Sequence, residues 1–168
     1  MPEPLDPERI FVTLAEHRVE YVLIGGLAAV LHGSPTVTND ADICPRRTPE
    51  NLNRLATALR DMHARIRTTT EPDGLNFSCD ATSLARMKMV NLVTDFGTVD
   101  LSFEPGGFPG GYDELVVGAE PFAISGVEVL VASLRDVIRS KEAADRPKDH
   151  ATLPILRALQ DELEARDR

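Results

Sequence analysis

The chain has 168 residues, 42% apolar and 27% charged, which fits one soluble α/β-sized domain able to bury a core without disulfide or metal staples. Its formal charge of −9 excludes a coat protein that holds nucleic acid by bulk charge, but not an enzyme touching RNA through a small basic patch, nor a basic partner. Two cysteines, Cys44 and Cys79, without CxxC spacing read as reduced and buried in a cytoplasmic protein, and no apolar run approaches the ~20 residues of a membrane span.

The start, MPEPLDPERI, is acidic and proline-containing, unlike a signal peptide. Asp6-Pro7-Glu8 opens a helix with an N-cap, a proline at the first helical position and an acid in the first turn. Ile10, Phe11, Leu14 and Ala15 make its apolar stripe, and Arg18 closes it. Tyr21–Ile24 predicts a short buried strand, followed at Gly25-Gly26 by a tight turn into a helix carrying Leu27, Val30 and Leu31. His32-Gly33-Ser34-Pro35 ends that helix, and Thr36–Ile43 reads as the second strand. Thr48-Pro49-Glu50 opens an amphipathic helix to about Met62. Ile66–Thr70 and Leu75–Cys79 read as strands around a turn at Glu71–Gly74. Met87–Thr94 and Thr98–Phe103 predict a hairpin across Asp95-Phe96-Gly97. After a glycine- and proline-rich loop, Tyr112–Leu115 is a helical turn, and Val116–Ile124 and Val127–Leu130 are short strands. Ser133 caps the next helix, and Arg146-Pro147 starts another in which Pro154 predicts a kink or a new start, with a frayed tail. Helices before, between and after strands make a mixed α/β domain.

The chemistry concentrates in three acids. Asp40 and Asp42, two apart on a strand, point to the same side of the sheet. Side by side they repel unless a cation sits between them or one takes a proton. Asp100, on the later hairpin, shares a face with Ser102 and would add a third carboxylate. Such a set suits Mg²⁺, with Mn²⁺ as a substitute, in a two-metal arrangement with cations about 4 Å apart. Bare glycines at a helix start offer unpaired N–H groups to a phosphate, although Gly25-Gly26 also makes a plain strand–helix turn. Lys141 reads equally as a cation reaching a triphosphate and as a solvated helix lysine paired with Glu142 or Asp145. Ser34 binds a phosphate or caps the turn. His32 reads as a helix-end residue with a satisfied ring, and Lys148 and Asp149 as a helix start.

Gly25-Gly26 with Ala28, Ala29, His32 and Gly33, then Thr38 and Asp40-Ala41-Asp42, resembles the core motif of the DNA polymerase β-type nucleotidyltransferase superfamily. Val129-Leu130, Ser133-Leu134, Asp136, Ile138, Lys141 and Arg146-Pro147-Lys148-Asp149 resemble the C-terminal helices of its small bacterial branch, related to abortive-infection and toxin–antitoxin nucleotidyltransferases. The resemblance implies a nucleotidyltransferase fold, a mixed β-sheet flanked by helices. It would be a single domain over residues 1–168, with a core at about 19–131 and a helical part at about 132–165. It implies NMP transfer from an NTP to a hydroxyl, with Asp40, Asp42 and Asp100 on Mg²⁺, and Gly25, Gly26, Ser34 and Lys141 on the nucleotide. The acceptor expected is an RNA 3′ end or a protein, in a toxin-type role with a cognate antitoxin as partner. A catalytically silent binding partner and an antibiotic-modifying enzyme are the alternatives. One departure stands out: Thr36 occupies the stretch before the acids where that branch often carries an arginine.

Overall fold

A computed structural model describes residues 2–168. Helix α1 (Pro7–Glu16) leads to strand β1 (Tyr21–Ile24), which passes directly into α2 (Gly25–Leu31). Then come β2 (Asp40–Pro45), α3 (Pro49–Asp61), the two-residue β3 (Arg65–Ile66), α4 (Ala81–Ala85) and the hairpin of β4 (Met89–Thr94) and β5 (Gly97–Ser102). Helix α5 (Tyr112–Gly118), the hairpin of β6 (Glu120–Ile124) and β7 (Val127–Val131), α6 (Leu134–Ala144) and α7 (Pro147–Arg166) follow. The strands form one mixed sheet in the order β3-β4-β5-β2-β1-β7-β6. Strand β2 runs antiparallel to β1 and parallel to β5, and β7 runs parallel to β1.

The helices begin where the capping residues stand. Asp6 accepts from the Arg9 N–H at 3.2 Å, and Thr48 from the Asn51 N–H at 3.3 Å. Their stripes, Ile10, Phe11 and Leu14 on α1 and Leu52, Leu55 and Leu59 on α3, are buried together with Ile43 and Leu101 of the sheet. Each such side chain contributes roughly 1.5–3 kcal/mol by leaving water. Asn51, fully buried, joins the two strands that matter most for the site. Its Oδ1 accepts from the Glu20 N–H at 2.7 Å, and its Nδ2 donates to the carbonyls of Glu20 (2.8 Å) and Arg46 (2.7 Å). These bonds clamp the start of β1 to the end of β2, and so hold the pairing of Ile24 with Asp42.

Several expected boundaries move. Strand β2 starts at Asp40, because the Thr38 hydroxyl bonds the Asp40 backbone and keeps the preceding residues in a loop. The expected strands around Glu71–Gly74 shrink to β3 and a single bridge between Ile66 and Leu75. Beyond them Asp80 caps α4, an unforeseen helix, by accepting from the Ser83 N–H at 2.8 Å. Val116 and Val117 end α5 rather than start a strand: Leu115 is buried, Val117 is 86% exposed, and helical packing overrides their β-propensity. Helix α7 runs without a break through Pro154 to Arg166, since Leu153 and Leu156 are buried on either side of the proline. An Arg166–Glu162 pair at 2.8 Å holds the last turn that was expected to fray. Cys44 is buried and Cys79 half-buried, both as free thiols. No helix among the described residues is long and apolar enough to cross a membrane.

Candidate active site

The sheet register sets the acids side by side. Asp42 pairs with Ile24 on β1 and with Asp100 on β5, and Asp100 pairs with Asn91 on β4. Asp40 lies two residues earlier, opposite Thr98. On the other side of β2, Ala41 and Ile43 are fully buried, so alternation aims both aspartates away from that core. Gly25 answers to the same carboxylate, and Gly26 to the loop before it. Gly25 has φ +69°, and a Cβ there would lie 2.2 Å from Asp42 Oδ2; at Gly26 it would lie 3.1 Å from Thr38 Oγ1. The strand–helix junction is therefore bare because Asp42 packs against it.

A cleft of about 650 Å³ opens over this row, well within the range of small-molecule sites. Gly25, Gly26, Asp40, Asp42 and Asp100 line it from the sheet side, and Lys141, Arg146 and Lys148 from α6 and α7. Ser34 is not among its lining residues; its hydroxyl is buried and bonded to that of Thr36 at 2.8 Å. His32 bonds the Ala132 carbonyl through Nε2 at 2.8 Å and meets Phe122 edge-on, joining α2 to the β6–β7 hairpin. Lys141 has neither partner weighed for it from the sequence. Its Nζ lies 3.5 Å from Asp149 Oδ1, a fully buried carboxylate that also accepts from Arg146 Nε at 2.9 Å and from the Arg146 N–H at 3.1 Å. Burial pushes Asp149 upward, but those bonds and charges hold it below the usual carboxylate range. Lys148, read from the sequence only as part of a helix start, lines the cleft beside them.

Arg67 is the residue that sequence reasoning missed. It follows β3, and its N–H donates to the Asn91 carbonyl at 2.9 Å, which extends the row of the acids by one residue. A guanidinium nitrogen lies 3.7 Å from Asp100 Oδ1. No spacing in the chain signals this neighbour, because three strand pairings stand between Arg67 and Asp42.

Burial first, then the charge of Asp40, pushes the Asp42 carboxyl up. Burial, then Asp42 and Asp40, pushes Asp100 up to about 7, and Arg67 opposes the rise. Because folding raises the affinity of Asp100 for its proton, its contribution to stability is present below its ordinary value of 3.8 and is lost as pH rises through about 7. The metal-free protein is expected to melt at progressively lower temperature between about pH 4 and pH 8, and Asp100→Asn to flatten that slope in a calorimetric series.

The crowded acids and the buried Asp100 Oδ1, which has no hydrogen-bond partner, fit a hard cation. Among the described residues no three His, Cys, Asp or Glu side chains close into a metal cage by themselves. Mg²⁺ takes one or two carboxylates and completes its shell with water and substrate phosphates.

The chain matches no protein-family model and no curated protein. Its fold is similar to that of the lincosamide antibiotic adenylyltransferase LnuA, solved with lincomycin bound. The TM-score is 0.57, with 13% identity over 94% of this chain and 99% of that one. It is also similar to the antibiotic-resistance factor ANT(2'')-Ia, with a TM-score of 0.53 and 14% identity over 94% of this chain and 89% of that one. At such identities the likeness is one of architecture: the chain has the nucleotidyltransferase fold, a mixed sheet flanked by helices.

Proposed function

We propose that this protein is a Mg²⁺-dependent nucleotidyltransferase, moving an NMP unit from an NTP to a hydroxyl acceptor with release of pyrophosphate. The observation that carries the reading is the pairing of Asp42 with Asp100 across two strands, in a cleft whose other wall bears lysines. Asp40, Asp42 and Asp100 would hold the cation. Bound there, Mg²⁺ supplies charge neutralisation for the phosphates and makes the acceptor hydroxyl a better nucleophile. Lys141 and Lys148, whose charges already reach Asp42, bind the triphosphate beside the bare backbone of Gly25 and Gly26. Asp100 takes the proton of the acceptor hydroxyl, a task suited to a carboxyl whose affinity for protons is raised.

The motif resemblance supports an RNA 3′ end or a protein as acceptor, with a cognate antitoxin as partner. The names of the two fold relatives support a second reading, a small antibiotic as acceptor. The test incubates the protein with each radiolabelled NTP, Mg²⁺ and either cell RNA, cell protein, a lincosamide or an aminoglycoside. Label should pass to one acceptor class with the wild type and to none with Asp100→Asn. In parallel, NTP with Mg²⁺ at about 100 times its Kd should raise Tm by roughly 5–10 °C. A protein that neither labels an acceptor nor gains stability from any NTP is not a transferase, and the silent binding role replaces it.

A further inference from the structure

Lys141 and Lys148 line the cleft from α6 and α7, whereas the cation beside Asp100 is Arg67. That pairing is unusual in its geometry. The guanidinium stands 3.7 Å from Asp100 Oδ1, beyond hydrogen-bond reach, and it is only one-third exposed. Arg67 Nε and Asp100 Oδ1 are the two buried side-chain polar atoms without a hydrogen-bond partner among the described residues. A buried ion pair that serves stability alone repays its lost hydration only by closing into good hydrogen bonds. The Arg146–Asp149 pair does so, with Nε 2.9 Å from one carboxylate oxygen and a second guanidinium nitrogen 3.4 Å from the other; the Arg67–Asp100 pair does not.

We infer that Arg67 is a tethered counter-ion, which neutralises Asp100 while the cleft is empty and gives up that place when a divalent cation arrives with the nucleotide. This rests on the transferase reading above. Its backbone is fixed by the bond to Asn91, while the long side chain reaches Asp100 without locking onto it. Arg67 would repel a lone divalent ion at Asp100, and the negative charge of a bound triphosphate would offset that repulsion. Arg67 is thus a positioning residue that makes the site favour the metal–nucleotide complex over free metal.

The test is binding of Mn²⁺ alone, followed by electron paramagnetic resonance in nucleotide-free protein. A divalent ion and a guanidinium roughly 6 Å apart repel enough, even in a water-like dielectric, to weaken binding about tenfold. Arg67→Gln is therefore expected to bind Mn²⁺ about tenfold more tightly than the wild type, and Arg67→Lys to stay close to the wild type. Without metal, Arg67→Gln should also melt below the wild type, and saturating Mn²⁺ should close the gap. If Arg67→Gln does not fold, Arg67→Met, which keeps most of the stem, serves the same comparison. Wild-type Mn²⁺ binding with no gain in the neutral variant overturns the counter-ion role alone. Failure of every protein to take Mn²⁺, with or without an NTP, overturns the transferase reading and this inference with it.

Discussion

Asp42→Asn is expected to cut NMP transfer roughly a thousandfold, measured as single-turnover label transfer under saturating NTP and Mg²⁺. The substitution keeps the shape that packs on Gly25 but removes the charge from the centre of the acid row. Asp42 pairs with Asp100 and feels the charges of Lys148 and Lys141, so it is the acid that links the carboxylates to the lysines of the cleft. The same variant should be more stable than the wild type near neutral pH in the absence of metal. Burial and the charge of Asp40 push the Asp42 carboxyl up, and an amide has no charge to lose. Higher Tm with lost activity is the signature of a residue kept for chemistry at the expense of stability. A loss of activity under tenfold would take Asp42 out of the reaction centre.

Gly25→Ala is expected to destabilise the fold by roughly 2–4 kcal/mol, read from the midpoint of urea unfolding. Two costs combine. An L-residue is strained at φ +69°, and the new methyl would lie 2.2 Å from Asp42 Oδ2, closer than any real contact. Relief requires Asp42 to turn away, so transfer should fall along with stability. Gly26→Ala is the control. Its methyl would meet Thr38 Oγ1 at 3.1 Å, a side chain that can shift by a few tenths of an ångström, and helical geometry accepts alanine. The expected change there is below about 1 kcal/mol. Equal losses in the two variants would mean that helix packing, not contact with the carboxylate, selects glycine at position 25.

Much of this arrangement was legible in the chain, for local reasons. Caps at Asp6, Thr48 and Ser133 hydrogen-bond within three residues of themselves, so their helices start where composition places them. The alternation Asp40-Ala41-Asp42-Ile43 sorts acids from core without help from the rest of the fold. The errors fall where local signals conflict with packing. Val116 and Val117 favour a strand but complete α5 behind the buried Leu115, and Pro154 sits in a helix held by Leu153 and Leu156. Ser34, for which the sequence left phosphate binding and turn capping open, has its hydroxyl bonded to that of Thr36.

What the sequence determined by itself is the stretch from Tyr21 to Asp42: a strand, two glycines and two acids whose spacing alone aims both carboxyls to one side. What only the tertiary structure decided is the company those acids keep. Asp100 joins them through a parallel pairing between strands nearly sixty residues apart, and Arg67 through two pairings more. The arginine that the resemblance implies near Thr36 is absent there, and the arginine that the fold sets beside the acids is Arg67, at Asp100. Hydrogen-bond register, unlike side-chain alternation, is a property of two strands at once, and no single stretch of sequence contains it.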